Sequence, residues 1–327
     1  LLVAACGGQT PEPVAEPGPP PPPAPVLVET APAPSASAPA ATTPALSDVT
    51  KPPSGPAPVL VYRGVFATPE SVLYDAAADR YLVSNINGKP VDVDDNGYIS
   101  ELTPDGSVKN AKFIAGGVNK VKLDAPKGLA LVGNELWVTD LTRVRKFDAK
   151  TGAPRGEIAL PEATFANDIV AAPDGRVFVA DSGIKLGANG FEPTGSAQVI
   201  VISKGGKAKT LAKSKELGGP NGLVWGPKGL LVNTFLAAEV YRLNDAGARE
   251  DVLTVPKGGL DGMQLLGDAL WVSSWEAQTV YRGTLSGNFE PVITNVKGPA
   301  DFGYDSKRNR LLLPRFMEDL VEVYDIK

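Results

Sequence analysis

The chain has 327 residues, a net charge of −5, one cysteine, 35 glycines, 31 prolines and no histidine. Without imidazole there is no Ser-His-Asp or Cys-His pair and no histidine general base, and a lone cysteine cannot complete a His/Cys zinc site. Hydrolytic chemistry here has to rest on carboxylates, amides, lysine, tyrosine or a hard metal ion; with 32 Lys+Arg against 37 Asp+Glu, the chain also lacks the basic excess of a nucleic-acid binder.

Of the 31 prolines, 17 fall within the first 58 residues, beside runs of Ala, Ser and Thr. Such a stretch offers too little apolar surface to offset chain entropy. Val3-Ala4-Ala5-Cys6 resembles the bacterial lipobox, in which the cysteine is lipidated, and Gly7 after it suits outer-membrane sorting. Residues 1–58 therefore read as the remnant of a lipoprotein signal peptide plus a disordered Pro/Ala-rich linker. The expectation is a lipid-anchored protein of the bacterial cell envelope, on the outer membrane and facing periplasm or outside; an acylated Cys6 at the mature amino terminus is its mass-spectrometric signature. No apolar run approaches the ~18–20 residues of a transmembrane helix, so any membrane contact is through the lipid alone.

From 59 onward the sequence repeats. The strand Val59–Val65 has no unit of its own. Six segments then align: Pro69-Glu70-Ser71-Val72-Leu73, Pro126-Lys127-Gly128-Leu129-Ala130, Ala166-Asn167-Asp168-Ile169-Val170, Pro220-Asn221-Gly222-Leu223-Val224, Leu260-Asp261-Gly262-Met263-Gln264 and Pro299-Ala300-Asp301-Phe302-Gly303. Each is followed by an apolar strand such as Leu136-Trp137-Val138 or Leu270-Trp271-Val272, and then by a third and often a fourth, divided by Pro-Asp-Gly, Asn-Gly and Thr-Gly turns. The spacings between second residues are 57, 40, 54, 40 and 39, and forty-odd residues per four-stranded unit is the period of a propeller blade. The fold class expected for 59–327 is all-β: a six-bladed β-propeller of four-stranded antiparallel blades. The sixth unit runs out at its third strand, so the strand near 59–65 is expected to complete the last blade and bury both sheet edges. Insertions at 87–96 and 183–195 account for the long intervals.

The first insertion contains Asp92, Asp94 and Asn96, followed by Gly97. These match the first half of a calcium-binding loop, although its twelfth position is Thr103 and no helices flank it. Either a second calcium site or an acidic turn fits. Trp137, Phe178 and Trp271 share one strand position and are expected in the core between blades, whereas Trp275 falls at a turn, where it lines a channel mouth or packs on the surface.

A propeller points one equivalent residue per blade at its central channel. At the second aligned position stand Glu70, Lys127, Asn167, Asn221, Asp261 and Ala300. Four of these carry oxygen, two as carboxylates and two as amides, a donor set for a hard divalent cation, calcium above all. The competing explanation is that Asn-Gly and Asp-Gly cap turns leading into the inner strands. Lys127 would repel a cation, pair with Glu70 in its place, or bind an anionic substrate.

Glu70, Asn167, Asn221 and Asp261, in that order, resemble the Glu-Asn-Asn-Asp set of the gluconolactonase/regucalcin family, which includes luciferin-regenerating and diisopropyl-fluorophosphatase-like propellers. The resemblance covers about 59–327. It is carried further by Asn167-Asp168-Ile169 with Pro173-Asp174-Gly175, by Pro220-Asn221-Gly222-Leu223, and by Asp261-Gly262-Met263 with Leu270-Trp271-Val272. At the first ligand the family has Glu-Gly-Pro where this chain has Glu70-Ser71-Val72. The resemblance implies a divalent ion held by Glu70, Asn167, Asn221 and Asp261, with Asp261 as the catalytic carboxylate and Asn167 as a further ligand or substrate-orienting residue. The implied activity is metal-dependent hydrolysis of lactones or related esters, by a monomer acting on a small molecule. The alternative is a non-catalytic propeller that binds a glycan, a peptide or a protein partner of the envelope.

Overall fold

The computed structural model describes residues 55–188 and 190–326; Cys6 and the Pro-rich stretch up to residue 54 lie outside them. Six four-stranded antiparallel sheets follow one another along the chain. Blade 1 comprises Pro69–Asp75, Arg80–Asn85, Tyr98–Leu102 and Val108–Ala115. Blade 2 comprises Pro126–Val132, Glu135–Asp140, Arg143–Asp148 and Pro154–Ala159. Blade 3 comprises Ala166–Ala171, Val177–Asp181, Gln198–Ile202 and Ala208–Lys213. Blade 4 comprises Pro220–Gly226, Gly229–Thr234, Glu239–Leu243 and Arg249–Thr254, and blade 5 Leu260–Leu266, Ala269–Ser274, Thr279–Thr284 and Gly287–Thr294. In blade 6, Gly303–Asp305, Arg310–Arg315 and Leu320–Asp325 are completed by Leu60–Arg63, which pairs antiparallel with the last of them, Leu60 opposite Val323 and Arg63 opposite Leu320. The expected closure and blade number are both present. No helix among the described residues is long and apolar enough to cross a membrane.

Burial grades from channel to rim. Every residue of the second strands Arg80–Asn85 and Val177–Asp181 is buried, whereas the fourth strand Pro154–Ala159 is almost wholly exposed. Strands flanked by blades on both faces are covered on both sides, which is why they read as continuous apolar runs rather than as alternation. Six apolar clusters fill the six blade-to-blade interfaces. Trp137, Phe178 and Trp271, expected in this core, are each at most 7% exposed within it. The insertion in blade 3 forms its own hairpin, Ile184–Gly187 with Gly190–Pro193.

Candidate active site at the channel mouth

The inner strands of blades 1 to 5 share one irregularity. In each, the pairing between the first two strands gains a residue, between Pro69 and Val72, Pro126 and Leu129, Ala166 and Ile169, Pro220 and Leu223, and Leu260 and Met263. This is a β-bulge, which bends the strand and re-aims the side chains it carries. The bulged pairs are Glu70-Ser71, Lys127-Gly128, Asn167-Asp168, Asn221-Gly222 and Asp261-Gly262. Asn-Gly and Asp-Gly here are thus strand bulges and not turns. The glycines are needed because the next blade lies against them: a Cβ on Gly128 would stand 2.7 Å from the Asp168 Cα, and one on Gly262 2.6 Å from the Phe302 nitrogen.

A polar residue opposite four of the five bulges bonds to its backbone. Ser84 Oγ accepts from Ser71 N at 2.9 Å, Asn233 Oδ1 from Gly222 N at 2.8 Å and Ser273 Oγ from Gly262 N at 2.8 Å. Asn233 and Ser273, with Thr139 of blade 2, reach on to the next blade: Thr139 Oγ1 donates to Asn167 O, Asn233 Nδ2 to Asp261 O and Ser273 Oγ to Ala300 O. Blade 3 has Ala180 at this place, and Asp168 takes over the tie, its Oδ1 accepting from Ile169 N and its Oδ2 from Leu223 N of blade 4, both at 2.6 Å.

The structure brings Glu70, Lys127, Asn167, Asn221 and Asp261 together around one small cavity of about 30 Å³. All five are between 1% and 6% exposed. Three oxygens in this ring have no hydrogen-bond partner: Glu70 Oε2, Asn221 Oδ1 and Asp261 Oδ1, from only seven orphaned buried side-chain atoms among the described residues. The other polar atoms of Asn221 and Asp261 are fixed by the fold. Asn221 Nδ2 donates to Leu260 O at 3.1 Å, and Trp275 Nε1 donates to Asp261 Oδ2 at 2.8 Å. Asn167 Nδ2 donates to Ser182 Oγ at 3.4 Å. Each buried orphan costs about 1–3 kcal/mol, and more when charged, so three around one cavity call for a hydrogen-bond donor or a cation. The donors are two carboxylates and two amides; no three carboxylate, thiol or imidazole groups among the described residues stand together so as to hold a metal ion by themselves. This set fits an oxygen-seeking divalent cation.

Lys127 forms no ion pair with Glu70. Its Nζ donates to Ala125 O at 3.1 Å and lies 4.4 Å from the centre of the Phe165 ring. Burial depresses its pKa to about 8 against the opposing pull of Glu70 and Asp140.

Sequence reasoning missed two channel carboxylates. Asp301 follows the aligned Ala300, which is buried and backbone-bonded to Pro314 O. At this point the chain pairs with blade 1: Asp301 N donates to Glu70 O at 2.9 Å, and Ser71 Oγ donates to Asp301 Oδ2 at 2.5 Å. Asp168 is the other. Burial raises Asp261 to about 8 and Asp301 to about 7, the first helped by Asp301 and opposed by Trp275. Burial and the neighbouring carboxylates also push Glu70 and Asp168 well above the usual range. Their signal was an acid one residue beyond the aligned column.

The other singled-out residues lie elsewhere. Asp92 Oδ2 accepts from Lys89 N at 3.2 Å, and Asp94 Oδ2 accepts from Asn96 Nδ2 at 2.6 Å, so only Asp94 and Asn96 bond each other, and Asn96 Oδ1 has no partner. Asp140 and Asp181 tie turns, accepting from Ala125 N and Phe165 N, both at 2.8 Å.

Above the ring the cavity is walled by Ile86, Pro90, Phe165, Ile184, Phe191, Phe235, Trp275 and Phe316. Ile86, Phe235, Trp275 and Phe316 each follow directly on a second strand, at one register, in blades 1, 4, 5 and 6. Phe191 comes from the blade 3 hairpin.

No family model matches the chain, and no curated protein matches it in sequence. Among solved structures it is similar to a gluconolactonase from Xanthomonas campestris, at 19% identity and a TM-score of 0.61 over 79% of this chain and 86% of that one. A luciferin-regenerating enzyme gives 14% identity and a TM-score of 0.58 over 82% and 94%. Virginiamycin B lyase from Staphylococcus aureus gives 14% and 0.56 over 81% and 98%. At these identities the likeness is one of fold, and the chain is a six-bladed propeller whose structural neighbours include gluconolactonases.

Proposed function

We propose that the propeller holds a divalent cation, calcium before others, among Glu70, Asn167, Asn221 and Asp261, and hydrolyses lactones or related esters there. What supports this most is the trio of bare oxygens, Glu70 Oε2, Asn221 Oδ1 and Asp261 Oδ1, turned to one cavity. A cation so bound supplies Lewis-acid polarisation of the ester carbonyl and a lowered pKa for water.

The chain's own groups do the rest. Trp275 holds Asp261 Oδ2 and so aims the carboxylate; the lone pair of Oδ1 that a cation would leave free accepts the proton of the attacking water. As the water oxygen bonds to the carbonyl carbon, the ester C–O bond breaks and its oxygen leaves with a proton, giving a hydroxy acid from a lactone. Lys127, with a pKa near neutrality and two N–H groups beyond its bond to Ala125 O, is the donor for that oxygen. Asn167 orients the substrate carbonyl.

Two neighbours bear on alternatives. A lyase described as catalytically inactive has one histidine replaced by alanine, and this chain contains no histidine, so chemistry of that kind is unsuited to it. A purely binding propeller with a structural cation would satisfy the same three oxygens, so turnover of an ester is the observation that separates the two readings.

Thermal unfolding of metal-stripped protein with and without calcium tests the site. At 100 times its dissociation constant an ion adds ~2.7 kcal/mol, several degrees for a domain of this size. The shift should vanish in Asp261→Ala, along with hydrolysis, and persist in Lys127→Ala. A wild type without a shift, beside a Lys127→Ala that gains one, would show the ammonium in the ion's place and end the hydrolase proposal.

A further inference from the structure

The wall above the ion position is an unbroken chain of aromatic rings. Phe165 meets Phe191 at 5.7 Å between centroids, Phe191 meets Phe235 at 5.6 Å, Phe235 meets Trp275 at 6.2 Å and Trp275 meets Phe316 at 5.0 Å. Four of these rings are only half-buried, and Leu236 and Met317, beside Phe235 and Phe316, remain 42% and 63% exposed. The arc is joined to the polar floor through Trp275, whose ring belongs to the wall while its N–H holds Asp261. The cavity beneath has room for little beyond a carbonyl, a water and an ion, so most of a substrate must lie against the rings.

Phe191 is held over the mouth and does not merely hang there. Its hairpin leaves blade 3 at Gly183, whose φ is 60° and where a Cβ would run into the Ala197 backbone. Thr194 closes the hairpin base, donating from N and Oγ1 to Gly183 O at 2.7 and 2.8 Å. Beyond the blade 2 turn, the hairpin and four loops give the mouth only apolar lining side chains.

We infer that the substrate is a lactone or ester with an apolar acyl chain or ring, which Phe191, Phe235, Trp275 and Phe316 bind, and that polyhydroxylated sugar lactones are poor ligands. This rests on the hydrolase reading for the reacting group, though not for the apolar contact. Aromatic faces gain by covering hydrocarbon. Each sugar hydroxyl, by contrast, would give up water without a partner on this wall, and unpaired polar groups are what sites reject most strongly.

The test is tryptophan fluorescence titration of the full chain, in calcium, with δ-decalactone and with D-glucono-1,5-lactone. It is run on wild type, on Asp261→Asn to suppress turnover, and on Phe191→Ser, Phe235→Ser and Phe191→Leu. The expected result is saturable binding of δ-decalactone by wild type and Asp261→Asn. Affinity should weaken about fivefold or more in each Phe→Ser variant, recover in Phe191→Leu, and be undetectable for the sugar lactone. Equal binding of the two lactones, unchanged affinity in the Phe→Ser variants at unaltered thermal stability, or no binding of δ-decalactone overturns the inference. Binding of δ-decalactone without hydrolysis of it or of any other ester upholds the apolar site and overturns the catalytic assignment instead.

Discussion

Asp261 is used from two sides. Its Oδ2 is spoken for by the Trp275 indole and its Oδ1 is bare, so one carboxylate is both oriented and reactive. Hydrogen bonds to charged groups contribute about 1.5–3 kcal/mol, which sets the scale for Trp275→Phe. That variant keeps a ring in the aromatic wall while removing the N–H. We expect kcat/KM to fall roughly 10- to 100-fold. Because Trp275 opposes the upward push on the Asp261 pKa, the acid limb of the rate profile should also move to higher pH. A drop in rate with an unmoved limb would mean the indole only packs. Lys127, the residue that most unsettled the sequence reading, is instead accommodated by Ala125 O and the face of Phe165, partners with no periodic signal in the chain.

The functional element is the bulged start of the inner strand. Five repeats of one irregularity place five side chains on one ring, and Ser84, Thr139, Asn233 and Ser273 stand opposite the bulges and bond to their backbone. Blade 3 shows the rule by its exception, with Ala180 opposite and Asp168 spanning to blade 4. Asp168 is thus a tie between blades, with both oxygens occupied, unlike Glu70 and Asp261. Asp168→Ala strands two buried N–H groups at about 1–3 kcal/mol each. It should lower the midpoint of thermal unfolding by several degrees while the stabilisation by calcium survives. Loss of the calcium effect with the fold intact would move Asp168 into the ligand set. A sequence search for the ring succeeds because pseudo-symmetry repeats it; Asp301 escapes such a search because blade 6 enters the channel by pairing with blade 1 rather than by a bulge.

At the scale of the whole molecule, closing six blades into a ring forces Glu70, Asp168, Asp261 and Asp301 into one channel with a single lysine. This makes stability depend on pH in a definite direction. The native pKa values of about 8 for Asp261 and about 7 for Asp301 exceed those of the unfolded chain, near 4. Between about pH 4 and 8 the native protein therefore holds protons that the unfolded chain has lost, and stability falls as pH rises. Lys127 acts oppositely: its native pKa is about 8 against 10.5, so above pH 8 the unfolded chain binds the extra proton and stability rises again. Metal-stripped protein should show a minimum of thermal stability near pH 8. Calcium should fill that minimum and protect more at pH 8 than at pH 5. A profile flat from pH 5 to 8, or the same calcium effect at both ends, would contradict a channel charged as described.

The sequence alone determined the blade count, the closing strand and the oxygen-rich ring, because each is written in the repeat: the strand order of one blade recurs along the chain, and the residue that opens the inner strand recurs with it. Glu70, Asn167, Asn221 and Asp261 could be picked out for that reason. Only the tertiary structure decided which oxygens remain bare, where the Lys127 ammonium lies, that Asp301 joins the channel, and that Phe191 completes the aromatic wall. Those outcomes depend on contacts between blades and on an insertion that breaks the repeat. Such contacts join residues far apart in the chain, 230 positions in the case of Ser71 and Asp301, and leave no periodic trace in it.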